Sequence, residues 1–518
     1  MTQTLQDPLL QSAFLQRTSA EGKSAAKAAA RGTSSQGATS KGKTVHTVDL
    51  AVIGAGSAGL SIASGAAQLG RSTVLFEAHE MGGDCLNTGC VPSKAIIAAG
   101  RAAQGFREAE RFGVENEAPE VNFDKVKAHI QGVIATIAPH DSQERFEGLG
   151  VTVIRERAAF TGRTTLESDT HIVHAKRIVV ASGSRASAPP IPGLDTVDYL
   201  TNETIWSVES QPEHLLVIGA GPIGIELGQA FRRLGSEVTI VDISAPLGRN
   251  EPEHAEAIVE ALQDEGVVFH APAKTKAVRK TSTGVEIELE DGTVLSGSHL
   301  LVAAGRAPNV ENLNLEAAGV TYTRRGIDTD INLQTSNKNV FAAGDVAAGR
   351  GGLTHAAGYH AGVLIKQFYF IPPPFNRWFA KADADIPAAI YSEPGLASVG
   401  MTEADAREAG VEYRTTSAAF SGNDRAIAER ATHGSVKIVA TPKGKILGAS
   451  VLGEEAGNLI QVLQVAMKNG VKLSGLAQHI APYPTRGDAI RAAASAFYTE
   501  QVFSPKTRKL AGFLTRFH

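Results

Sequence analysis

The sequence predicts an α/β protein that contains two similar, doubly wound strand–helix–strand units. A segment that begins at Val52, VIGAGSAGLSIASGAAQLGRSTVLFE, returns 165 residues later as VIGAGPIGIELGQAFRRLGSEVTIVD, beginning at Val217. Each copy has an apolar run typical of a buried strand, a G-x-G-x-x-G turn, a helix-length segment and a second apolar run. Each copy ends in an acid, Glu77 or Asp242, which lies 23 residues after the first glycine.

The spacing of glycines and acid in both copies is that of a dinucleotide site. In this motif the first glycine makes a tight turn, the second lets the backbone approach a pyrophosphate, and the third allows close helix–strand packing. Helix N–H groups then face the phosphates, and the acid accepts hydrogen bonds from a ribose. We assign these roles to Gly54, Gly56, Gly59 and Glu77 in the first copy, and to Gly219, Gly221, Gly224 and Asp242 in the second.

Length and composition narrow the class of protein further. The chain has 518 residues, 43% of them hydrophobic, so it can form several domains. Its net charge of −4 does not suggest a nucleic-acid partner. Only two cysteines are present, too few for a disulfide-stapled secreted fold or a four-cysteine zinc site. We therefore predict no metal site.

Both cysteines, Cys85 and Cys90, lie in MGGDCLNTGCVPSK, directly after the first repeat. A cysteine beside helix N–H groups can have its pKa lowered from ~8.5 to between ~3.5 and ~7.5. Two such thiols next to a nucleotide site predict a redox pair.

These motifs resemble the class I flavoprotein pyridine nucleotide-disulfide oxidoreductases, which include dihydrolipoamide dehydrogenase, glutathione reductase and mercuric reductase. The resemblance covers about residues 47–503. It implies two Rossmann-like domains, for FAD and NAD, and a C-terminal α+β dimerisation domain, hence a homodimer. The predicted order is a disordered tail at 1–45, FAD-binding parts at 46–196 and 326–383, an NAD(P)-binding domain at 197–325, a dimerisation domain at 384–503 and a basic amphipathic tail at 504–518.

Three further segments match the family in order: VVASGSRASAPPIPG from Val179, AAGRAPN from Ala303 and VFAAGDVAA from Val340. The last carries the aspartate that the family places on the flavin ribityl chain, here Asp345. The further cofactor-binding residues implied are Gly83, Lys94, Gly183, Gly305 and Gly344.

The family's chemistry takes electrons from NAD(P)H through flavin to a cysteine disulfide. Cys90 then matches the flavin-facing thiol and Cys85 the thiol that meets the substrate, while Lys94 and Glu226 match an ion pair near the flavin. Asp242 favours NADH, with NADPH as the alternative because Arg249 lies close by in the sequence.

The C-terminal segment HIAPYPTRGD departs from the family's H-P-T-x-x-E. Tyr483 replaces the histidine that serves as base, and Asp488 replaces the glutamate; His479 is an alternative base. Tyrosine titrates near ~10, so it is a poor base at neutral pH. Mercuric reductases also have tyrosine here, but they carry a further cysteine pair near the C-terminus, and this chain has no cysteine after Cys90.

We therefore expect a mercuric-reductase-like enzyme that reduces a disulfide, metal ion or quinone. Dihydrolipoamide dehydrogenase is the alternative, and a low-turnover flavoprotein redox sensor or binding module is the alternative from another class.

The two ends differ from the rest of the chain. Residues 1–45 are rich in Ser, Ala and Lys and predict a tail of a cytoplasmic protein, or a transit peptide to an organelle matrix. Folded structure is expected to begin near Val48. At the other end, Leu510, Phe513, Leu514 and Phe517 recur at helical spacing among basic residues. We expect this helix to pack on its own domain, with an anionic membrane surface as the alternative.

Overall fold

A computed structural model describes residues 39–517 except residues 41, 116 and 118. The predicted tail at 1–45 lies largely outside the described residues. Its last part is in strands, because Thr39–Ser40 pairs with a strand that begins at Lys43. The first long strand therefore starts before Val48, where folded structure was expected to begin.

The described residues form 24 β-strands. The strands are β1 (Thr39–Ser40), β2 (Lys43–Ile53), β3 (Thr73–Phe76), β4 (Val151–Ile154), β5 (Ala159–Gly162), β6 (Thr165–Glu167), β7 (His171–Val180), β8 (Ser184–Ala186), β9 (His214–Ile218), β10 (Glu237–Val241), β11 (Val268–His270), β12 (Thr275–Lys280), β13 (Val285–Leu289), β14 (Val294–Gly297), β15 (His299–Val302), β16 (Arg306–Pro308), β17 (Tyr322–Thr323), β18 (Gly326–Ile327), β19 (Val340–Ala342), β20 (Ala388–Ile390), β21 (Gly395–Gly400), β22 (Arg414–Ala419), β23 (Ser435–Ala440) and β24 (Ile446–Gly453).

The α-helices are α1 (Ser57–Gln68), α2 (Gly83–Asn87), α3 (Cys90–Glu108), α4 (Phe123–Ile137), α5 (Gln143–Gly148), α6 (Pro222–Leu234), α7 (Pro252–Asp264), α8 (Leu315–Ala318), α9 (Thr354–Ile365), α10 (Asn376–Phe379), α11 (Glu403–Glu408), α12 (Asp424–Ala428), α13 (Ala456–Lys468), α14 (Leu473–Gln478), α15 (Asp488–Ala496), α16 (Thr499–Val502) and α17 (Pro505–Leu514). Short 3₁₀ helices span Ala109–Phe112, Ala138–Asp141, Leu194–Thr196, Ile205–Ser207, Gly344–Val346, Phe420–Gly422 and Thr515–Phe517, and a π-helix spans Lys366–Phe370.

The first sheet has the order β4-β3-β2-β7-β6-β5, with β19 added beside β7. Strands β2, β3, β4, β7 and β19 are parallel, and β2 is buried on both faces along its second half. Leu50 and Val52 enter one hydrophobic core, whereas Ala51 and Ile53 enter the other. This two-sided burial explains why the strand reads as a continuous apolar run.

The second repeat forms a separate parallel sheet of order β11-β10-β9-β15, next to a three-stranded antiparallel sheet, β12-β13-β14. The chain then returns to the first sheet through β19. A third large sheet is antiparallel, with the order β20-β21-β24-β23-β22, and α13 and α15 pack against it. The predicted class, two Rossmann-like units and a C-terminal α+β domain, is confirmed.

Helix α3, which begins at Cys90, packs against helix α6 of the second unit. Ala95 and Ile96 on this helix share a core with Ala230 and Phe231 on α6. The helices approach closely at Gly100, where a Cβ would lie 3.2 Å from the backbone oxygen of Ala230. The second and third turns of α3 are thereby held against α6.

The C-terminal helix α17 differs from expectation. Leu510, Phe513 and Leu514 on α17 and Phe517 in the 3₁₀ helix after it are 57%, 53%, 50% and 70% exposed, so they do not pack on their own domain. None of the described helices is long and apolar enough to cross a membrane.

Candidate active site

The first glycine motif forms a turn that no other residue could make. Gly54 has φ +103°, and a Cβ on it would lie 2.4 Å from the backbone oxygen of Ala181. A Cβ on Gly59 would lie 1.8 Å from the oxygen of Gly54. Gly56, in contrast, has open space around its Cβ position and directly precedes α1. The N–H groups at the start of α1 therefore face free volume that can receive a phosphate.

The second motif repeats this geometry. Gly219 has φ +116°, with its Cβ position 2.5 Å from the oxygen of Ala303, and the Cβ position of Gly224 lies 1.9 Å from the oxygen of Gly219. Gly221 again faces open space, at the start of α6. Two equivalent phosphate-binding turns are thus present.

The acids at the ends of β3 and β10 each hold their own glycine turn. Glu77 accepts hydrogen bonds from the N–H groups of Ala55 (2.6 Å) and His79 (2.7 Å). Asp242 accepts from the N–H groups of Ala220 and Ser244, both at 2.7 Å. The two carboxylates thus stabilise the loops beside their own glycine turns. Ribose binding by the same carboxylates stays a prediction.

A pocket of about 730 Å³ runs from the first glycine turn to the cysteines. Its lining includes Gly56 and Glu77 of the first repeat and Cys85 and Cys90 of the segment that follows it. Gly83 closes the loop between them, because its Cβ position is 2.8 Å from the Cα of Gly56. A helix N-terminus, an acid and a cavity of this volume fit a dinucleotide such as FAD.

The two cysteines are free thiols on neighbouring helices, Cys85 within α2 and Cys90 at the start of α3. The pKa of Cys90 is lowered to about 6, first because Cys85 hydrogen-bonds its sulfur and then through Thr354 and the charge of Lys94, although burial opposes the shift. The pKa of Cys85 is raised by the same hydrogen bond and by burial. Cys90 is therefore the thiolate of the pair at neutral pH.

Lys94, one turn further along α3, forms an ion pair with Glu226 on α6, at 2.9 Å between Nζ and Oε2. Glu226 is buried, and its other oxygen accepts a hydrogen bond from the backbone N–H of Tyr391 at 2.9 Å. The Lys94 ammonium lies 4.4 Å from the centre of the Tyr391 ring. The structure thus brings together the two charges that the resemblance had paired.

The VFAAGDVAA segment that begins at Val340 contributes a further part of the pocket wall. Asp345 accepts hydrogen bonds from the Ser184 hydroxyl and the Gly352 N–H, both at 2.7 Å. Gly183 and Gly344 also line this wall. Gly305 does not line it, but the next residue, Arg306, does.

Sequence reasoning missed several side chains at the cysteines. The Thr354 hydroxyl lies 3.2 Å from the sulfur of Cys90, and His355 lines the pocket beside it. Asp84 pairs with Arg306 at 3.1 Å, and its charge opposes the Cys90 thiolate. For Asp84 a signal was available, since this carboxylate directly precedes Cys85 in the sequence. For Thr354 no local signal exists, because it is 264 residues from Cys90.

Tyr483 and Asp488 are not brought to the cysteines within one subunit, since neither lines the pocket. Tyr483 is 78% exposed and donates a hydrogen bond to Asp424 at 2.9 Å, which raises the pKa of the phenol. Asp488 pairs with Arg491 at 2.8 Å. His479 contacts only the oxygen of Leu476 among the hydrogen bonds described, and it also lies outside the pocket.

Comparison with known proteins finds similarity along most of the chain. The family described as pyridine nucleotide-disulphide oxidoreductase matches residues 48–361, and its dimerisation domain matches residues 386–494. Mercuric reductase from Streptomyces lividans is 34% identical over 87% of this chain and 96% of its own. Dihydrolipoyl dehydrogenase from Thermus scotoductus is 33% identical over 88% of this chain and 98% of its own. A Cu(II) complex of the HOCl-induced flavoprotein disulfide reductase RclA from Escherichia coli superposes with a TM-score of 0.76 at 25% identity, over 86% of this chain and 99% of that one.

Proposed function

The chain belongs to the pyridine nucleotide-disulphide oxidoreductase family, and from this premise we propose that it uses FAD to carry electrons from NADH to the Cys85–Cys90 pair and on to an acceptor that needs no strong base. A soft metal ion is the favoured acceptor, with a quinone or a small disulfide as the other members of the class. One observation carries the proposal: both cysteines line a nucleotide-sized pocket that is also lined by Lys94 and its buried partner Glu226.

Residues of the pocket would hold the FAD. The free N–H groups beyond Gly56 suit the pyrophosphate, Glu77 the ribose and Asp345 the ribityl chain. When bound, the flavin supplies the means to accept a hydride from nicotinamide and to deliver its electron pair to a disulfide.

The cysteines then divide the chemistry between them. Two electrons and one proton convert the Cys85–Cys90 disulfide into one thiolate and one thiol. The lowered pKa of Cys90 assigns it the thiolate, stabilised by Thr354 and by the charge of Lys94. Cys85 keeps its proton until the acceptor arrives, so its thiol must lose that proton when it binds a metal ion.

The choice of acceptor follows from Tyr483. The dimerisation-domain match indicates a homodimer, and we propose that the exposed loop bearing Tyr483 meets the pocket of the second copy. Because Asp424 raises the pKa of the phenol, Tyr483 cannot serve as a base at neutral pH. Reduction of a disulfide releases a thiol that must receive a proton, and a base such as histidine holds and delivers that proton. A metal ion has no leaving thiol, so its reduction needs no such proton delivery. Mercuric ion takes both electrons of one NADH, and two cupric ions take one each.

Asp242 supports NADH as the donor. Its carboxylate sits at the end of β10 beside the second glycine turn, where it can accept from a ribose 2′-hydroxyl and repel a 2′-phosphate. Arg249 is exposed nearby in sequence, so both nucleotides belong in the test.

The test is an acceptor panel with the purified, FAD-loaded protein. NADH and NADPH are supplied in turn with mercuric ion, cupric ion, a quinone, lipoamide and glutathione disulfide. We expect NADH-dependent turnover with a metal ion that is lost in Cys85→Ser. A colourless protein, or full activity of Cys85→Ser with every acceptor, contradicts the proposal.

Lipoamide dehydrogenase activity is the rival within the family, and Tyr483→His distinguishes it. We expect lipoamide reduction to be slow in the natural protein and to rise in the variant, because histidine titrates near ~6.5. Fast lipoamide turnover by the natural protein, unchanged by the substitution, would refute the argument from the missing base. A redox sensor with little turnover predicts flavin bleaching by NADH but no multiple turnovers with any acceptor.

A further inference from the structure

The C-terminal helix α17 and the 3₁₀ turn after it form an apolar face that no part of the described chain covers. Leu510, Phe513, Leu514 and Phe517 follow the spacing that places side chains on one side of a helix. All four are at least half exposed, and the rings of Phe513 and Phe517 contact each other at 5.2 Å between centroids. A helix that packed on its own domain would bury this side.

The charge around this face has one sign. The basic residues are Lys506, Arg508, Lys509 and Arg516, and the last acid of the chain is Glu500. None of the four basic side chains forms an ion pair within the described part of the chain, although surface lysines and arginines pair with acids at many other places. Their charge is therefore available to a ligand outside the subunit.

The helix also lies beyond the part of the chain that makes the family's dimer. The dimerisation-domain match ends at residue 494, and α17 begins at Pro505. Within the subunit, the whole segment from residue 508 to residue 517 is exposed. The shared dimer architecture thus accounts for the third sheet and α15 but not for α17.

We propose that α17 binds the surface of an anionic lipid membrane, with its apolar face in the headgroup region and its basic residues on the lipid phosphates. Charge complementarity selects this occupant, because four uncompensated cations beside four exposed apolar side chains are the composition of a helix that lies in the membrane interface. Lysine and arginine stems can reach from the helix sides to the phosphates. At ten residues, about 15 Å, the helix can lie on a membrane but not cross it.

The test is co-sedimentation of the full-length, FAD-loaded protein with lipid vesicles. Vesicles of phosphatidylcholine alone are compared with vesicles that contain about 30% phosphatidylglycerol. The apolar variant is Phe513→Ser with Phe517→Ser, and the charge variant is Lys509→Glu with Arg516→Glu. Matched controls on exposed sites elsewhere are Val114→Ser with Val294→Ser and Lys338→Glu with Lys443→Glu.

We expect binding to the anionic vesicles that falls at least tenfold in both helix variants, weakens in high salt and is unchanged in both controls. Absence of binding to anionic vesicles, or equal binding by the helix variants and their controls, overturns the proposal. Light scattering on the same samples reports the second possible occupant. If the helix variants change the mass of the dimer, the face is covered by a second copy of the chain, and the membrane proposal fails. NADH-dependent flavin reduction is measured throughout, so that failure of this inference is separate from failure of the proposed function.

Discussion

Replacing Thr354 by valine tests how the structure makes Cys90 a thiolate. The Thr354 hydroxyl lies 3.2 Å from the Cys90 sulfur and can donate a hydrogen bond to it once the thiol has lost its proton. Valine has nearly the same shape but no hydroxyl. The variant therefore removes one interaction with the charged form and leaves the packing of α9 in place.

The size of the effect follows from the energy of such a bond. A hydrogen bond to a charged group contributes about 1.5–3 kcal/mol, and one pKa unit corresponds to about 1.4 kcal/mol. Because the bond favours the thiolate, its loss raises the pKa of Cys90, from about 6 to roughly 7–8. At pH 7 the thiolate fraction then falls from about nine tenths to about half or less.

The assay is a pH titration of the two-electron-reduced, FAD-loaded enzyme, followed through the charge-transfer absorbance between flavin and thiolate. Thr354→Ser is the matched control, because it keeps the hydroxyl and should keep the midpoint near 6. A Thr354→Val midpoint within about 0.3 units of the natural protein, less than the smallest shift that the bond energy allows, would show that the hydroxyl does not stabilise the thiolate. An equal shift in Thr354→Ser would show that packing, and not the hydrogen bond, sets the pKa.

Three further outcomes are expected. In the flavin-free protein, Gly59→Ala should lower the free energy of unfolding by more than about 3 kcal/mol, because its Cβ would lie 1.8 Å from a backbone oxygen. Gly56→Ala should leave the unfolding midpoint of the flavin-free protein unchanged and weaken flavin binding, and equal midpoints in the two variants would contradict this. Glu226→Gln removes the carboxylate 2.9 Å from Lys94 and should slow stopped-flow reduction of the flavin by NADH roughly tenfold, while an unchanged rate assigns the pair to structure alone. Burial lowers the pKa of His254 to about 4, so its contribution to stability is complete above pH 6.5 and is lost as the pH falls towards 4. Between pH 7 and pH 4.5, the free energy of unfolding measured with urea should thus fall by about 2–3 kcal/mol more in the natural protein than in His254→Gln. An equal fall in both proteins would exclude His254 as the cause.

The two nucleotide turns could be predicted because their geometry is encoded within a few residues. Gly54 needs a positive φ, and Gly59 must have no side chain where the helix crosses the strand. Such local requirements appear directly in the order of residues. The acid Glu77 was also found by its spacing, but its two hydrogen bonds to backbone N–H groups were not anticipated.

The partners of the redox pair could not be found in this way. Lys94 and Glu226 are 132 residues apart, and their pairing was expected only through resemblance to a family. Thr354 had no such support. Its position depends on the return of the chain to the first sheet through β19, which places the start of α9 beside the start of α3.

For the C-terminal helix, the sequence predicted the element but not its packing. Helical spacing predicted α17 itself, but periodicity cannot tell whether an apolar face meets its own domain or something outside it. Exposure of the four apolar side chains is a property of the whole subunit, and it reversed the expected packing.

Sequence alone was sufficient for the fold class and for the two glycine turns, since these depend on hydrophobic patterning and short-range backbone sterics, and it predicts a redox role for the cysteine pair. Tertiary structure was needed to show which of the two thiols carries the charge, which hydroxyl and ammonium stabilise it, and that Tyr483 lies away from the cysteines of its own subunit. The physical reason is that a pKa depends on hydrogen bonds, charges and burial within a few ångströms. Around Cys90, the groups Cys85 and Lys94 are close in the chain, but Thr354 comes from 264 residues away and burial depends on the whole subunit.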